Sequence, residues 1–429
     1  MAEFQPVEVK NGALKLEVLP YGVTIHRFLA EVNGKTHDLV IGPEHPEDHK
    51  KQKYTNTIVG RYANRIPVAT HTLERAGITS QFEAQANGMM FGQMLFHLRC
   101  ELKLSPSETP RVSLHGGPVG WDAVSWTEVK SNPSLFTEAE ISQLTGLSSD
   151  SYTIFRYVSP DGDQGYPGKL VAETLIAVVK GPEERSLGSV VIVYRAKLDE
   201  GEKKVVTPVN LTQHWGFNLD ASLEGHSLST KGNTLVLQAD QMVVRDADSL
   251  STGFANTAQI PAHTHGGKAI GELYPEGGYD PSLTPLPDDY YLLKQGAASA
   301  APTRIPQTEF TSDLDLIKDL IQPATATRIA AAKLTSKASG LTLAFDSNQH
   351  GLMVYTNGLS SVSKGARKLF HGGSGISGNG DAYGPGDAVF VEFHHPLAAF
   401  LESENKDKED TLLTSDEIYH NFVKCEVLI

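Results

Sequence analysis

Short runs of β-branched and aromatic residues, alternating with polar ones and broken by Gly, Pro, Asn and Asp, recur along the whole chain. Leu14–Leu19, Gln81–Phe82 onward, Thr174–Val179, Ser189–Tyr194, Thr234–Gln238, Leu341–Phe345, Leu352–Tyr355 and Val389–Phe393 are the clearest. A period of two places alternate side chains on opposite faces of a strand, and closely spaced turn signals limit each strand to a few residues. The pattern predicts an all-β fold, a sandwich or barrel, with few short helices. Helical periodicity is confined to Glu138–Leu147 and Phe310–Ile321. In the second, Ser312 followed three residues later by Asp315 reads as a helix start.

At 429 residues the length allows two or three average domains, but large β domains exceed the average. Ser105–Pro110, Gly296–Pro306, Gly373–Gly386 and Glu402–Asp416 are rich in Gly, Ala, Pro or charge. They read as surface loops, since strand patterning resumes beyond each. No fixed-period repeat is present. One β domain over residues 1–429, decorated by loop insertions, is the expected organisation.

The formal net charge of −14 disfavours nucleic acid or an anionic membrane surface as partner. No apolar run reaches the ~18–20 residues of a membrane span, and the N-terminal stretch lacks a signal-peptide pattern. A cytoplasmic location is expected. Cys100 and Cys425 are too few and too far apart for a disulfide framework or a zinc site, and are expected as reduced thiols. The sequon at Asn210 falls within a segment argued below to be a site strand, which makes it a poor glycan acceptor.

No P-loop and no nucleophile elbow is found. His263 and His265, and the adjacent His394 and His395, lack a companion carboxylate at ligand spacing, so no metal is expected. Four segments combine reactive side chains with permissive backbone. Asn56–Ile66 carries Arg61 and Arg65, whose guanidinium forks suit paired hydroxyls or a carboxylate; Arg61 is expected to tie down a loop instead. In Leu114–Asp122, His115 precedes two glycines that allow close approach of a ligand, and Trp121 either stacks on a sugar or fills core. Along Pro208–Leu219, alternation puts Leu211, Gln213 and Trp215 on one face and Thr212, His214 and Gly216 on the other. Val389–Pro396 embeds Glu392 in an apolar strand. Burial raises a carboxyl pKa and improves it as a base near neutrality, but a buried Glu paired with an Arg reads equally well from spacing alone.

Together these segments resemble the aldose 1-epimerase (galactose mutarotase) family, in the family's order. The Gly-Arg-x-Ala-Asn-Arg-Ile run is matched at residues 60–66 and the Leu-His-Gly-Gly-x-x-Gly-aromatic-Asp run at 114–122. The Asp-Gly-x-x-Gly-Tyr-Pro-Gly turn is matched at 161–168, the Asn-Leu-Thr-x-His-x-x-Phe-Asn-Leu strand at 210–219, and a Gly-Leu-x-Val-Tyr-Thr run at 351–356.

The resemblance implies a large twisted β-sandwich (a galactose mutarotase-like supersandwich) with a cleft across one sheet. It implies a free aldose as the small-molecule partner and no cofactor. Glu392 maps to the family's general base and His214 to its general acid. Asn64, Arg65, His115 and Asp288 map to sugar-binding positions, with Asp289 a competitor for the last because the Gly that usually precedes it is missing. The family commonly has Ser/Thr-Tyr after the acid His and Thr-Gln after the base Glu. Here Trp215-Gly216 and Phe393-His394 stand in those places, which loosens the choice of sugar. Extra residues also separate Ile66 from His115. Three other readings are a hexose-6-phosphate mutarotase on the same fold, a non-catalytic sugar-binding sandwich, and a glycoside-active enzyme recruiting Glu392 and Asp288. Monomer and homodimer are not distinguished by the sequence.

Overall fold

A computed structural model describes residues 3–87, 110–181, 184–274, 288–322, 329–402 and 409–429. Most regular structure is strand, gathered among the described residues into two large antiparallel sheets and several small ones. The ten-stranded sheet is built around Leu170–Val179, Ser186–Leu198, Glu417–Leu428 and Thr342–Ser347, in that spatial order. The seven-stranded sheet runs Ser251–Asn256, Ala239–Arg245, Asp288–Leu293, Gly351–Tyr355, Val389–Phe393, Thr212–Phe217, Thr57–Val59. A four-stranded sheet from Val7 to Asp38 adds a further layer.

The core lies between the two large sheets. From the seven-stranded sheet, Trp215, Phe217, Val389, Val391, Phe393, Leu352 and Val354 enter it; Val190, Ile192, Tyr194, Phe345, Val423 and Cys425 meet them from the other. Phe345 is the hinge of this contact, with ring centres 6.1 Å from Trp215, 5.6 Å from Phe217 and 5.9 Å from Phe393. Alternation then sends His214, Gly216, Phe390 and Glu392 to the opposite face of the seven-stranded sheet, as the Thr212/His214/Gly216 pattern predicts.

The ten-stranded sheet is covered on both faces, so its central strands read as unbroken apolar runs. On its outer face Leu175, Ala177, Val179, Val191, Val193 and Phe422 pack under Leu144, Ile317, Leu320 and Ile321. Leu144 belongs to the helix Glu138–Thr145, opened by a capping box in which Thr137 and Glu140 satisfy each other's backbone N–H. Glu140 is fully buried and takes both guanidinium nitrogens of Arg195, Nη1 and Nη2, each at 2.6 Å.

The second expected helix is corrected. Only Lys318–Ile321 is α-helical, after a 3₁₀ turn at Gln307–Glu309. The Asp315 carboxylate accepts from the N–H groups of Ile317 and Lys318 just ahead of the helix, which starts at Lys318 rather than near Ser312. Two stretches expected as loops contain strands: Arg304–Pro306 pairs with Glu417–Leu428, and Leu412–Thr414 with Val206–Pro208. Part of the insertion after Ile66 forms a hairpin, Thr70–Arg75 with Ile78–Glu83. Residues 88–109, with Cys100, lie outside the described residues; Cys425 is a buried free thiol. No helix among the described residues is long and apolar enough to cross a membrane.

Candidate active site

The outer face of the seven-stranded sheet brings the expected acid and base together. Trp215 pairs with Val391 and Gly216 with Phe390, which sets His214 beside Glu392 on the neighbouring strand. His214 Nε2 lies 3.2 Å from Glu392 Oε1, and both residues are buried.

The Gly60–Ile66 and Leu114–Asp122 segments meet as paired strands, Arg65 opposite Leu114. Just before that pair, His115 N–H donates to the Asn64 carbonyl at 3.0 Å, and Asn64 N–H donates to His115 Nδ1 at 3.1 Å. A nitrogen that accepts a hydrogen bond carries no proton, so neutral His115 holds its proton on Nε2. Burial, and then the neighbouring His214 and Arg65, hold the His115 pKa well below the usual imidazole value. His115 is therefore a neutral N–H donor. Its ring packs edge-on against His214, with centres 5.4 Å apart. The Asn64 side-chain oxygen accepts from Arg65 N–H at 3.0 Å and from Arg65 Nη1 at 3.4 Å, tying the two expected sugar-binding residues to each other.

Gly116 explains why glycine follows His115. Its φ is +90°, and a Cβ there would lie 2.0 Å from the Gly60 carbonyl oxygen. Gly116→Ala is expected to cost more than the ~1–3 kcal/mol of left-handed strain alone, because the clash is with backbone. A thermal melt should show the loss, and activity should fall with it as His115 is displaced.

Arg61 ties down a loop. It is buried and donates to the carbonyls of Pro160, Pro167 and Gly168 and to the hydroxyls of Ser159 and Thr207. The 161–168 turn is thereby fastened to the site. Trp121 fills core, packed on Trp126 and Tyr157. Asp122 is buried, and burial pushes its carboxyl up to about 6. Asn210 is fully buried with its amide bonded to the backbone of His395, which bars it as a glycan acceptor.

Asp288 opens its strand opposite Tyr355, and its side chain lies outside the described residues. The competitor Asp289 points away from Glu392. Tyr290 shares Glu392's row through Met353, so Asp289 falls on the opposite face, where it meets Arg245 at 3.5 Å and His263 at 3.6 Å. His263 and His265 both bond the Tyr291 hydroxyl, at 3.0 and 2.9 Å. Among the described residues no group of three His, Cys, Asp or Glu side chains is placed to hold a metal.

Two aromatic residues at the site escape sequence reasoning. Tyr54 packs on His115 at 4.7 Å and faces His214 at 6.4 Å between ring centres. The Phe390 ring lies 4.9 Å from that of His214. It can do so only because Gly216 is its cross-strand partner: a Cβ on Gly216 would come within 2.6 Å of the Phe390 ring. The Trp215-Gly216 departure thus has a physical counterpart. The aromatic ring beside the histidine comes from the next strand, and Trp215 turns into the core.

Residues 5–370 match the pattern of a family described as aldose 1-epimerase. The match takes in His214, His115, Asn64, Arg65 and Asp288; Glu392 lies past its end. A bovine (Bos taurus) galactose mutarotase is 28% identical over 57% of this chain and 56% of its own length. An Escherichia coli aldose 1-epimerase is 26% identical over 55% of this chain and 52% of its own. The chain thus spans about half the length of these relatives in sequence alignment. Among solved structures, an aldose epimerase homologue from C. elegans superposes with a TM-score of 0.65 at 19% identity, covering 98% of both chains. A galactose 1-epimerase from Lactobacillus acidophilus gives 0.60 at 18% identity, covering 98% of this chain and 93% of its own. These structural likenesses carry the fold.

Proposed function

We propose, from the premise that this chain belongs to the aldose 1-epimerase family, that it interconverts the α and β anomers of a free aldose such as glucose or galactose. The observation that carries this reading is the contact of His214 Nε2 with Glu392 Oε1 at 3.2 Å on one sheet face. Mutarotation needs a proton acceptor at the C1 hydroxyl and a donor at the ring oxygen. Both oxygens are bonded to C1, so donor and acceptor must be neighbours. Glu392 takes the hydroxyl proton as His214 protonates the ring oxygen. The C1–ring-oxygen bond breaks and the open aldehyde forms. Rotation about C1–C2 presents the other carbonyl face, and closure returns both protons with the roles exchanged.

The surrounding groups suit this division. His115, neutral with Nε2–H outward from its Asn64 bond, donates to a sugar oxygen without competing as an acid. Arg65, braced by Asn64, offers its fork to hydroxyls, and Asp288 accepts from another. No redox or nucleophilic step is involved.

Polarimetry on freshly dissolved α-D-glucose and α-D-galactose tests the proposal. Catalysed approach to the equilibrium rotation is expected with at least one. A chain that accelerates neither these nor other aldoses over buffer is not a mutarotase. A clear preference for glucose 6-phosphate would move the reading to a hexose-6-phosphate mutarotase.

A further inference from the structure

We propose that Asn56 is a positioning residue for His214; the proposal rests on the acid role given to that histidine above. The strand Thr212–Phe217 changes partner beside His214. Its first half pairs with Thr57–Val59, His214 opposite Thr57. Its second half is bonded by residues 39–41 instead: Ile41 N–H donates to the Gly216 carbonyl at 2.9 Å, and Asn218 N–H to the Leu39 carbonyl at 2.9 Å. Asn56, fully buried, occupies the junction.

Every polar group of Asn56 is used to bridge that break. Its backbone N–H donates to the His214 carbonyl at 2.8 Å. Its side-chain oxygen accepts from Gly216 N–H at 2.8 Å, and its side-chain nitrogen donates to the Ile41 carbonyl at 2.6 Å. Its own carbonyl accepts from Ile25 N–H at 2.9 Å and from the Gln213 carboxamide. A primary amide offers an acceptor and donors in one plane, as a peptide unit does. The side chain therefore stands in for one rung where the ladder is interrupted. Its φ of +61° is a conformation Asn tolerates better than most residues.

These bonds converge on residues 214 and 216. They fix the backbone that leaves the His214 side chain, and they hold Gly216 where Phe390 can lie against the imidazole. Deleting the amide leaves the Gly216 N–H and the Ile41 carbonyl without partners in a buried place. The strand then shifts to recover them, and His214 moves relative to Glu392.

The test compares Asn56→Gly, Asn56→Asp and His214→Asn in the full chain. Asn56→Gly is expected to lower kcat on the order of 10- to 100-fold, with KM little changed, as a misplaced catalytic group does. In a His214→Asn background it should cause no further loss. Independently of activity, the His214 ring resonances in NMR spectra should move in Asn56→Gly while those of His420, buried in the other large sheet beside Arg195, stay in place. Asn56→Asp should be rescued by acid between pH 8 and 6. A protonated carboxyl reproduces both side-chain bonds, and burial favours that neutral form. A wild-type kcat in Asn56→Gly, the same fold-loss with His214 already removed, or unmoved His214 ring resonances would overturn the inference. If His214→Asn itself keeps full activity, the acid role fails, and the ring resonances still decide whether Asn56 positions the histidine.

Discussion

Glu392→Gln should reduce kcat by about three orders of magnitude, the middle of the ~10²–10⁴-fold range that a positioned general base contributes. The amide keeps the size of the carboxylate and can still bond His214 Nε2, so the strand Val389–Phe393 need not move. What it loses is the ability to take a proton from the C1 hydroxyl. Sugar binding should survive, because the hydroxyl contacts assigned to Asn64, Arg65, His115 and Asp288 are untouched. The split is therefore a collapsed kcat with KM changed little, read by polarimetry and by sugar-induced NMR shifts. Asp289→Asn is the internal control. Its carboxylate sits on the far face of the sheet with Arg245 and His263. A carboxylate there has no path to the anomeric centre, so the variant should keep kcat within a few-fold if it folds. Full activity in Glu392→Gln, or equal losses in both variants, would show that the base has been placed on the wrong residue.

That contrast also shows where the sequence is informative. Alternation along Pro208–Leu219 and Val389–Phe393 separates core from site residues without a structure: Trp215 and Val391 point inward, and His214 and Glu392 point outward. The same rule sets Asp289 opposite Tyr290, but only the pairing of Tyr290 with Met353, and of Met353 with Glu392, reveals which of the two shares a face with Glu392. Register is a long-range property, and no local pattern encodes it. Asn56 illustrates this most clearly. It begins a motif-bearing segment, yet its role arises from a change of strand partner between residues distant in sequence. The Gly216–Phe390 arrangement is hidden for the same reason, since a glycine in a strand signals close approach without naming the group that approaches. Two differences from the sequence pattern are local. The helix is a single turn at Lys318–Ile321, with Asp315 bonded to the N–H groups that lead into it, where the spacing predicts a longer helix from Ser312. Arg304–Pro306 closes a Gly-, Ala- and Pro-rich stretch that reads as loop, yet it adds to the sheet at Glu417–Leu428.

Acid should unfold this protein at an unusually high pH, with most of its stability lost between about pH 6.5 and 4.5. The cause is a population of buried, neutral histidines. Burial drives His49, His265 and His395 down to about 3, and His371 and His394 down to about 4. It also lowers His26, His37, His115 and His420. An unfolded chain binds a proton on each imidazole near pH 6.5, while the folded chain does not. Between those values the unfolded state holds more protons, so stability rises with pH and falls as acid is added. At pH 5 a group displaced to 4 or lower contributes roughly 2 kcal/mol of this loss, at ~1.4 kcal/mol per unit. The five named with values then sum to roughly 10 kcal/mol, comparable to the ~5–15 kcal/mol total stability of a folded domain. Asp122, raised to about 6 by burial, and Asp387, also raised by burial, act in the opposite direction over the same interval, but they are two groups against nine. Glu409, lowered by Arg304 and the Thr303 hydroxyl against its burial, extends the loss below pH 4.5. Urea unfolding at a series of pH values should therefore give a stability that declines steeply below pH 6.5, with uptake of several protons per molecule. His49 shares a 3.1 Å contact with His26, and a second proton on that pair has no acceptor to meet, so His49→Gln should flatten the slope. Stability that stays level down to pH 4.5 would mean these imidazoles are hydrated in solution. The same measurement bears on catalysis, because an acid loss of activity that follows unfolding reports on this buried population, and only a loss that precedes unfolding reports on the candidate site itself.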